Sequence, residues 1–268
     1  LYTLYKEDYQ KFIDYNIKDV ELVQRMMEKT GLMQLAMTIA YKGGVNYIDA
    51  FGTTSIWDSF IYRVLQQRNI VCPPKVTKGR TSYEGGYVKD PVVGAHRWVT
   101  SFDLNSLYPN IIIQYNMSPE TVLDGILPVT IDSYLDGTSD YSGGEYTVAP
   151  TGIKFRNDRQ GVIPGIVSQL YAERRIVKKD MLGIEQQYQD TKNEMLQKKI
   201  VQLDNEQMAI KILMNSLYGS LGNQYFRYFD QRVAESITAG GRMSITWAER
   251  AGNSEMNKLL GTVDSDYV

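Results

Sequence analysis

A helical stretch of the chain carries a cation where its apolar pattern predicts a hydrophobic side chain. Between residues 163 and 218, apolar residues recur at alternating spacings of four and three in two runs, which a polar break near residues 189–193 separates. Two such stripes joined by a short turn predict an antiparallel helical hairpin. Arg174 interrupts the first stripe, and Gln207 interrupts the second. A cation in an apolar stripe is the most informative physical feature of the chain.

Two lysines are predicted to lie near Arg174. Lys178 follows it by one helical turn. If the hairpin turns near Thr191, Arg174 lies opposite Met208, and Lys211 is within about one turn of it. Three fixed cations converging near the base of a hairpin would neutralise the charge that develops on the leaving group of a polyphosphate. A solvated surface with snorkelling side chains is the alternative interpretation.

Asp103 provides the second signal. Trp98–Leu104 is predicted as a β-strand and Asn105–Asn110 as a turn, so Asp103 is expected at a strand end. A carboxylate there, beside Asn105 and Ser106, has the ligand chemistry that Mg²⁺ prefers. An aspartate in such a setting is more often only a turn residue, so the spacing alone does not decide between the two roles.

The composition limits the chemistry of the chain. Its 268 residues suit one large domain or two small ones, and its apolar runs are too short to span a membrane. A single cysteine, Cys72, excludes an internal disulfide framework and a multi-cysteine zinc site, and a Ser-His-Asp hydrolase would have to use the single histidine, His96. Because the net charge is −2, nucleic-acid binding must come from local basic clusters. The 20 tyrosines suit stacking on bases, but tyrosine also fills half-buried positions.

The other elements are predicted from periodicity and from turn residues. Helices are expected at residues 1–42 with an interruption at Gly31, at residues 55–67 and at residues 234–260. Short strands and loops are expected at residues 118–160, and a short strand at residues 226–233. Cys72-Pro73-Pro74 marks a module boundary, and residues 75–97 after it form a basic segment that contains glycine.

Five short motifs, in order along the chain, resemble those of family B DNA polymerases. Residues 103–109, Asp-Leu-Asn-Ser-Leu-Tyr-Pro, resemble the first polymerase motif, and residues 211–219 match the second, Lys-x₃-Asn-Ser-x-Tyr-Gly. Residues 174–178, Arg-x₃-Lys, are similar to the paired cations of the opposite finger helix. Residues 83–86 resemble the Tyr-x-Gly-Gly linker, and residues 15–19 resemble the third exonuclease motif, Tyr-x₃-Asp. The resemblance covers essentially the whole chain and is greatest to the replicative polymerases of tailed bacteriophages.

The resemblance implies an α+β fold: a partial polymerase right hand, with a palm sheet and a helical fingers hairpin, preceded by the helical end of a 3′-5′ exonuclease domain. The implied divisions are the end of the exonuclease domain at 1–72, the first part of the palm at 73–162, the fingers at 163–219 and a truncated second part of the palm at 220–268.

The resemblance also implies roles for residues of the first polymerase motif. Asp103 would be one of two carboxylates that hold two Mg²⁺ ions, and the carbonyl of Leu104 would be a further metal ligand. Ser106 and Leu107 would offer donors to the triphosphate. Tyr108 would pack under the sugar and exclude a 2′-hydroxyl.

Two more groups of residues receive roles from the resemblance. The triphosphate would be bound by Arg174, Lys178, Asn215 and Lys211, of which Lys211 is also counted as catalytic. The DNA would be contacted by Tyr83, Gly85, Gly86, Tyr218 and Gly219.

Two motifs depart from the family pattern. Asp19 alone cannot form a two-metal nuclease site, because the first two exonuclease motifs are expected upstream of residue 1. Asp264-Ser265-Asp266 lacks the aromatic-glycine pair that precedes the third polymerase motif. It is interpreted as a polar turn after the last helix, with the true motif and the thumb expected beyond residue 268.

The leading hypothesis is part of a DNA-directed DNA polymerase that extends a primer by two-metal phosphoryl transfer in viral DNA replication, with proofreading in the full-length parent. The expected partners are primer–template DNA, a deoxynucleoside triphosphate and, through other regions, a sliding clamp and replisome proteins. The expected location is the cytoplasm of an infected bacterium, without membrane contact. One alternative is a non-catalytic half of a split polymerase that is active only on assembly. A primase or RNA-templated polymerase is disfavoured by Tyr108, and the piece alone is expected to be inactive.

Overall fold

The computed structural model describes residues 1–77, 79, 81–139 and 144–268, and the chain has the expected α+β composition. The helices in these residues are α1 (Tyr2–Glu7), α2 (Tyr9–Thr30), α3 (Leu32–Gly43), α4 (Thr53–Gln67), α5 (Leu107–Gln114), α6 (Ile131–Leu135), α7 (Val162–Thr191), α8 (Glu194–Leu221) and α9 (Gln231–Leu260). The strands are β1 (Val122–Ile126), β2 (Tyr146–Val148) and β3 (Ile153–Arg156). Two cations of the predicted basic segment, Lys78 and Arg80, lie outside the described residues.

The predicted helical hairpin is confirmed as α7 and α8. Lys192 ends α7 in the left-handed conformation with φ of 52°, and Asn193 begins α8 by accepting a hydrogen bond from the Met195 amide. Apolar side chains near the base of the hairpin, such as Val167 and Leu217, are fully buried. The hairpin therefore lies with its base in the main core and its tip in solvent.

Helix α4 packs against the base of α8 through one large side chain. Trp57 is 1% exposed. Its indole nitrogen donates to the Leu213 carbonyl and to the Ser216 hydroxyl, each at 3.1 Å. The tryptophan therefore buries its ring and satisfies its donor in one contact, which fixes α4 against the hairpin.

The small sheet covers another side of the same core. Its strands are antiparallel in the order β1-β3-β2, and Val122 pairs with Phe155. Phe155 is fully buried. The Thr147 hydroxyl donates to the Tyr115 carbonyl at 2.6 Å, which joins the sheet to the end of α5.

Helix α2 differs from the other long helices because none of its residues is buried. Asp8 caps its first turn by accepting from the Lys11 amide, and Gly31 ends it with a φ of 63°. Apolar side chains on α2, among them Ile17 and Val20, are more than half exposed. Of the helices in the described residues, none is long and apolar enough to cross a membrane.

The predicted strand at residues 98–104 is wrong. The segment is irregular, Trp98 has a positive φ of 62°, and Phe102 is 92% exposed. A strand needs a neighbour for its backbone hydrogen bonds, and no described strand pairs with this segment. The predicted turn at residues 105–110 is also partly wrong, because α5 begins at Leu107.

The predicted strand at residues 226–233 is wrong as well. Successive turns replace it: the Phe226 amide donates to the Asn223 carbonyl at 2.9 Å, and the Phe229 amide donates to the Phe226 carbonyl at 3.1 Å. Both phenylalanine side chains are 2% exposed. The apolar pattern therefore indicates a buried loop and not a strand. Helix α9 begins after Asp230, whose carboxylate accepts a hydrogen bond from the Arg232 amide.

Candidate nucleotide-binding site

Three tyrosines from three separate motifs meet in the structure. The rings of Tyr108 and Tyr218 have centroids 4.9 Å apart at an interplanar angle of 51°. The hydroxyls of Tyr83 and Tyr218 are 3.3 Å apart. The folded chain thus brings together the segments 83–86, 103–109 and 211–219, for which the sequence analysis predicted contacts with the nucleotide or the DNA.

Helix α9 positions Tyr108 by letting α5 approach its backbone. A Cβ placed on Gly240 would lie 2.8 Å from Cγ2 of Ile111, and one placed on Gly241 would lie 2.9 Å from Cε1 of Tyr108. Residues three apart lie on the same face of a helix. One face of α5 therefore lies directly on two glycines of α9.

The same helix holds the segment 83–86 through an arginine. The Arg242 guanidinium donates to the carbonyls of Glu84 at 2.9 Å and Gly85 at 2.8 Å, and it forms an ion pair with the Glu84 carboxylate at 3.2 Å. The Thr238 hydroxyl donates to the Glu84 carbonyl at 3.1 Å. A charged donor on two backbone carbonyls is among the stronger hydrogen-bonding arrangements.

Further contacts extend this attachment over residues 81–89. The Thr81 amide donates to the Gln231 side chain at 3.0 Å, and Lys89 forms an ion pair with Glu249 at 2.8 Å. In an extended conformation, the eight steps from Thr81 to Lys89 span about 27 Å. The eighteen helical steps from Gln231 to Glu249 span about the same length. The segment therefore runs along α9 in an extended form, with its Tyr83 beside the tyrosine group.

The two interruptions of the hairpin stripes contact each other. Two nitrogens of Arg174 donate to the side-chain oxygen of Gln207 at 3.3 and 3.2 Å. The Gln207 amide donates in turn to Asp204 at 2.8 Å. The predicted partner, Met208, was one residue away from the observed one. A polar pair thus explains why both stripes break at the same level.

The three cations form a row along the hairpin. Lys178 and Lys211 lie about 6 Å along the hairpin axis on either side of Arg174, because each is four residues from the Arg174–Gln207 level. Both lysines are exposed, and Asn215 is exposed one turn beyond Lys211. Within the described residues, none of the three cations forms an ion pair. The convergence expected from the sequence is therefore a row, and its charge is not neutralised by the described residues.

Two acidic neighbours of this row form ion pairs with a lysine of another helix. Glu173 and Glu206 adjoin Arg174 and Gln207 in the sequence, and both form ion pairs with Lys42 of α3, at 2.5 and 3.9 Å. Successive residues of a helix point about 100° apart. The acids are thus paired with a third helix and not with the cations.

The row of cations leads to the tyrosine group along one side of α8. Gln207, Lys211, Asn215 and Tyr218 follow one another at spacings of four, four and three, which places them on a common side. Near the base of the hairpin, Tyr218 and Gly219 line a cleft of about 410 Å³ together with Tyr83 and residues 222–225. The side of α8 therefore joins an anion-attracting surface to an aromatic cleft.

The first turn of α5 presents backbone donors next to Tyr108. Ser106 precedes the helix with a positive φ of 53°, and no described side chain caps it. The Asn110 side chain donates to the carbonyls of Asn105 at 3.0 Å and Ser106 at 3.1 Å, which holds the turn. The first amides of a helix have no partner within the helix, so Leu107 can offer its amide to an anion.

Asp103 and Leu104 do not form a metal site with the described residues. Asp103 is exposed, Leu104 is 48% exposed, and the described part of the chain has no group of three or more acidic, histidine or cysteine side chains suited to a metal. Asp266 is bound by Lys89 at 2.6 Å and by Asn253 at 2.8 Å, and the Lys89 ammonium holds the pKa of Asp266 below its usual range. A single carboxylate does not fit a two-ion site.

Asp19 lies apart from the residues described above. It is exposed on α2, one turn beyond Tyr15, which is 46% exposed. The described residues supply no acidic cluster around it. Asp19 therefore lies on an exposed helix, whereas Tyr108 and Tyr218 pack against the main core.

Residues of α9 that organise the site were not predicted from the sequence. Thr238 and Arg242 bind the segment 83–86, and Gly240 and Gly241 accommodate α5. The contact at the two glycines could have been predicted from the sequence. Two adjacent glycines inside a long helical pattern destabilise that helix, so they indicate a close contact with another element.

Comparison with known proteins assigns the chain to a family. Residues 52–265 match the model of DNA polymerase family B. This match covers most of the chain, and it includes the three tyrosines, the cation row and α9. The chain belongs to DNA polymerase family B.

Individual relatives agree with this assignment. The chain is 30% identical over 306 aligned positions to the DNA-directed DNA polymerase of Enterobacteria phage T4, covering 99% of the chain and 34% of that protein. It is 29% identical to the DNA-directed DNA polymerase of Escherichia phage RB69, covering 99% of the chain and 34% of that protein. DNA polymerase 1 of Pyrococcus abyssi is 31% identical, with coverages of 96% and 31%. The chain therefore spans about a third of the length of these curated relatives.

Replacing Arg242 should release the segment 83–86 from α9. In Arg242→Met, limited proteolysis within residues 83–89 should accelerate by about tenfold or more, because hydrogen bonds to a charged group contribute roughly 1.5–3 kcal/mol and hold this segment on α9. Arg250→Met is the matched control, since Arg250 lies on the same helix but pairs with exposed Asp132 and Asp136. Equal cleavage rates in both variants would contradict the proposed attachment.

Proposed function

We propose that this chain is the nucleotide-binding part of a DNA-directed DNA polymerase that extends a primer strand. Family membership supports the reaction class, and the contact between Tyr83, Tyr108 and Tyr218 carries the assignment to a site. In this proposal, residues 1–72 end an exonuclease domain. Residues 73–162 and 220–268 belong to the palm, and residues 163–219 form the fingers.

The cation row binds the triphosphate of an incoming deoxynucleotide. Lys178, Arg174 and Lys211 present a line of charge about 12 Å long along the hairpin, which suits an extended triphosphate. Asn215 adds an amide beyond Lys211, and the Ser106–Leu107 turn adds backbone donors. Fixed cations of this kind stabilise the negative charge on the pyrophosphate leaving group without reorganising during the reaction.

Tyr108 selects the sugar. Its ring is half-buried and is held between Gly241 and Tyr218, so it has little freedom to move aside for an additional hydroxyl. A rigid ring excludes a 2′-hydroxyl by steric contact. Selection of this kind does not depend on the identity of the base.

The cleft beside Tyr218 and Gly219 contacts the DNA. Tyr218 offers a flat surface, and Gly219 has no side chain that would obstruct a base pair. Tyr83, Gly85 and Gly86 approach the same cleft from the segment along α9. A surface without base-specific side chains suits a polymerase that must accept every correct pair.

Metal-dependent steps require groups that the described residues do not supply. Asp103 and the Leu104 carbonyl are the proposed ligands in a two-Mg²⁺ polymerase site, and Asp19 is the proposed ligand of an exonuclease site. Each supplies one carboxylate, so neither site is completed by the described part of the chain. Lys211 is proposed to act on the triphosphate as a cation, which needs no metal.

The wider setting is a proposal from the phage relatives. Their sources support a role in viral DNA replication inside an infected bacterium. Primer–template DNA and deoxynucleoside triphosphates are the proposed partners, with a sliding clamp and other replisome proteins bound through other parts of the polymerase. Primer extension by the full-length polymerase, but not by residues 1–268, is the expected result. A half of a split polymerase would instead need a second chain to extend a primer.

Removing Lys211 should weaken the use of all four deoxynucleotides alike. Lys211→Ala in the full-length polymerase should lower kcat/KM by about ten- to a hundredfold for each, because the triphosphate is common to all. Arg174→Ala and Lys178→Ala should act in the same direction, and the losses should be non-additive if the cations bind one anion. Lys198→Ala, an exposed lysine on the same helix, is the control. A loss confined to one base would contradict triphosphate binding.

Shortening Tyr108 should admit ribonucleotides. In Tyr108→Val, the ratio of kcat/KM for deoxynucleotides to that for ribonucleotides should fall by at least about tenfold, since the ring that meets the 2′-hydroxyl is removed. The measurement is single-nucleotide primer extension with matched deoxy- and ribonucleotides. If the ratio is unchanged while wild-type extension is normal, Tyr108 does not select the sugar.

A further inference from the structure

Two adjacent glycines occupy the middle of α9 at a cost to the helix. Gly240 and Gly241 are buried within a helix of 30 residues. Glycine in a helix interior is less stable than alanine, because it loses more backbone freedom on folding. Their neighbours differ: Gly240 lies against Ile111 of the buried core, whereas Gly241 lies against Tyr108.

The space above Gly241 is filled by the ring of Tyr108. A Cβ on Gly241 would lie 2.9 Å from Cε1 and 3.6 Å from Cδ1 of that ring, and 3.8 Å from a methyl of Leu107. Cε1 belongs to the body of the ring and moves only with the whole ring. The ring would therefore have to turn about its Cβ–Cγ bond or shift away from α9.

The ring of Tyr108 is also bounded on two other sides. Tyr218 lies against it with a centroid distance of 4.9 Å. A Cβ on Gly86 would lie 3.2 Å from the Tyr108 hydroxyl, so the backbone of that segment limits movement along the ring axis. A ring displaced from α9 therefore moves toward the side that these groups leave open.

We propose that Gly241 determines sugar specificity by positioning Tyr108. Without a Cβ, Gly241 lets the ring lie against the backbone of α9, and this depth sets the space left for the sugar of the incoming nucleotide. The inference rests on the proposed function, in which Tyr108 selects the sugar. Gly241 acts by direct contact with the ring, whereas Gly240 contacts Ile111 of the helix that carries Tyr108.

The decisive variant is Gly241→Ala in the full-length polymerase. The displaced ring should enter the sugar space, so KM for deoxynucleotides should rise by about threefold or more, with a smaller change in kcat. Gly183→Ala on α7 is the control, because its Cβ would meet nothing within 4 Å. Gly240→Ala should lower thermal stability, because its Cβ would lie 2.8 Å from Cγ2 of Ile111.

A double variant tells whether Gly241→Ala acts by moving the Tyr108 ring or by a general effect on the fold. In Tyr108→Val the ring is absent, so adding Gly241→Ala should leave KM for deoxynucleotides and the deoxy-to-ribo ratio unchanged. If Gly241→Ala raises KM equally in both backgrounds, or fails to fold in both, its effect does not pass through Tyr108 and the proposal is overturned. An unchanged KM in the single variant would overturn it too.

The same measurements test the role of Tyr108 and the role of Gly241 separately. If the wild-type polymerase extends a primer and Tyr108→Val admits ribonucleotides, the proposed function holds whatever Gly241→Ala does. If Tyr108→Val leaves sugar selection intact, the proposed function of Tyr108 fails first, and the role of Gly241 fails with it.

Discussion

The close contact between α5 and the glycines of α9 is the constraint on which the rest of the site depends. Helix α5 carries Tyr108, and it can approach α9 only because Gly240 and Gly241 have no side chains. One turn of the same helix binds the segment 83–86 through Thr238 and Arg242. The motifs at residues 83–86 and 103–109 are therefore both positioned by residues 238–242 of one helix.

The hairpin contributes charge to this arrangement because two of its acids, Glu173 and Glu206, are paired away from its cations. Lys42 pairs with Glu173 and Glu206, while Arg174 binds the neutral side chain of Gln207. A carboxylate in place of Gln207 would neutralise the arginine and lower its attraction for a phosphate. The neutral amide orients the guanidinium and leaves its charge available, which is what a triphosphate-binding surface requires.

Local patterns predicted the hairpin well and the packing around Tyr108 poorly. The spacing of apolar residues located α7 and α8, and the two interrupted stripes placed Arg174 within one residue of its observed neighbour. The strand expected at Phe102 failed because a strand depends on a neighbour that local sequence does not specify. Arg242 was missed for a similar reason: an arginine on a helix looks solvent-exposed until the tertiary structure supplies the carbonyls of Glu84 and Gly85.

In this interpretation, three segments form one site against α9 that binds the incoming nucleotide and the DNA together. Amide exchange of the chain, measured with and without primer–template DNA plus a saturating deoxynucleoside triphosphate, tests it most directly. We expect residues 83–86, 106–110 and 207–219 to become protected together and α2 to remain unchanged. Protection limited to the hairpin, or spread equally over α2, would contradict a single site formed by these segments.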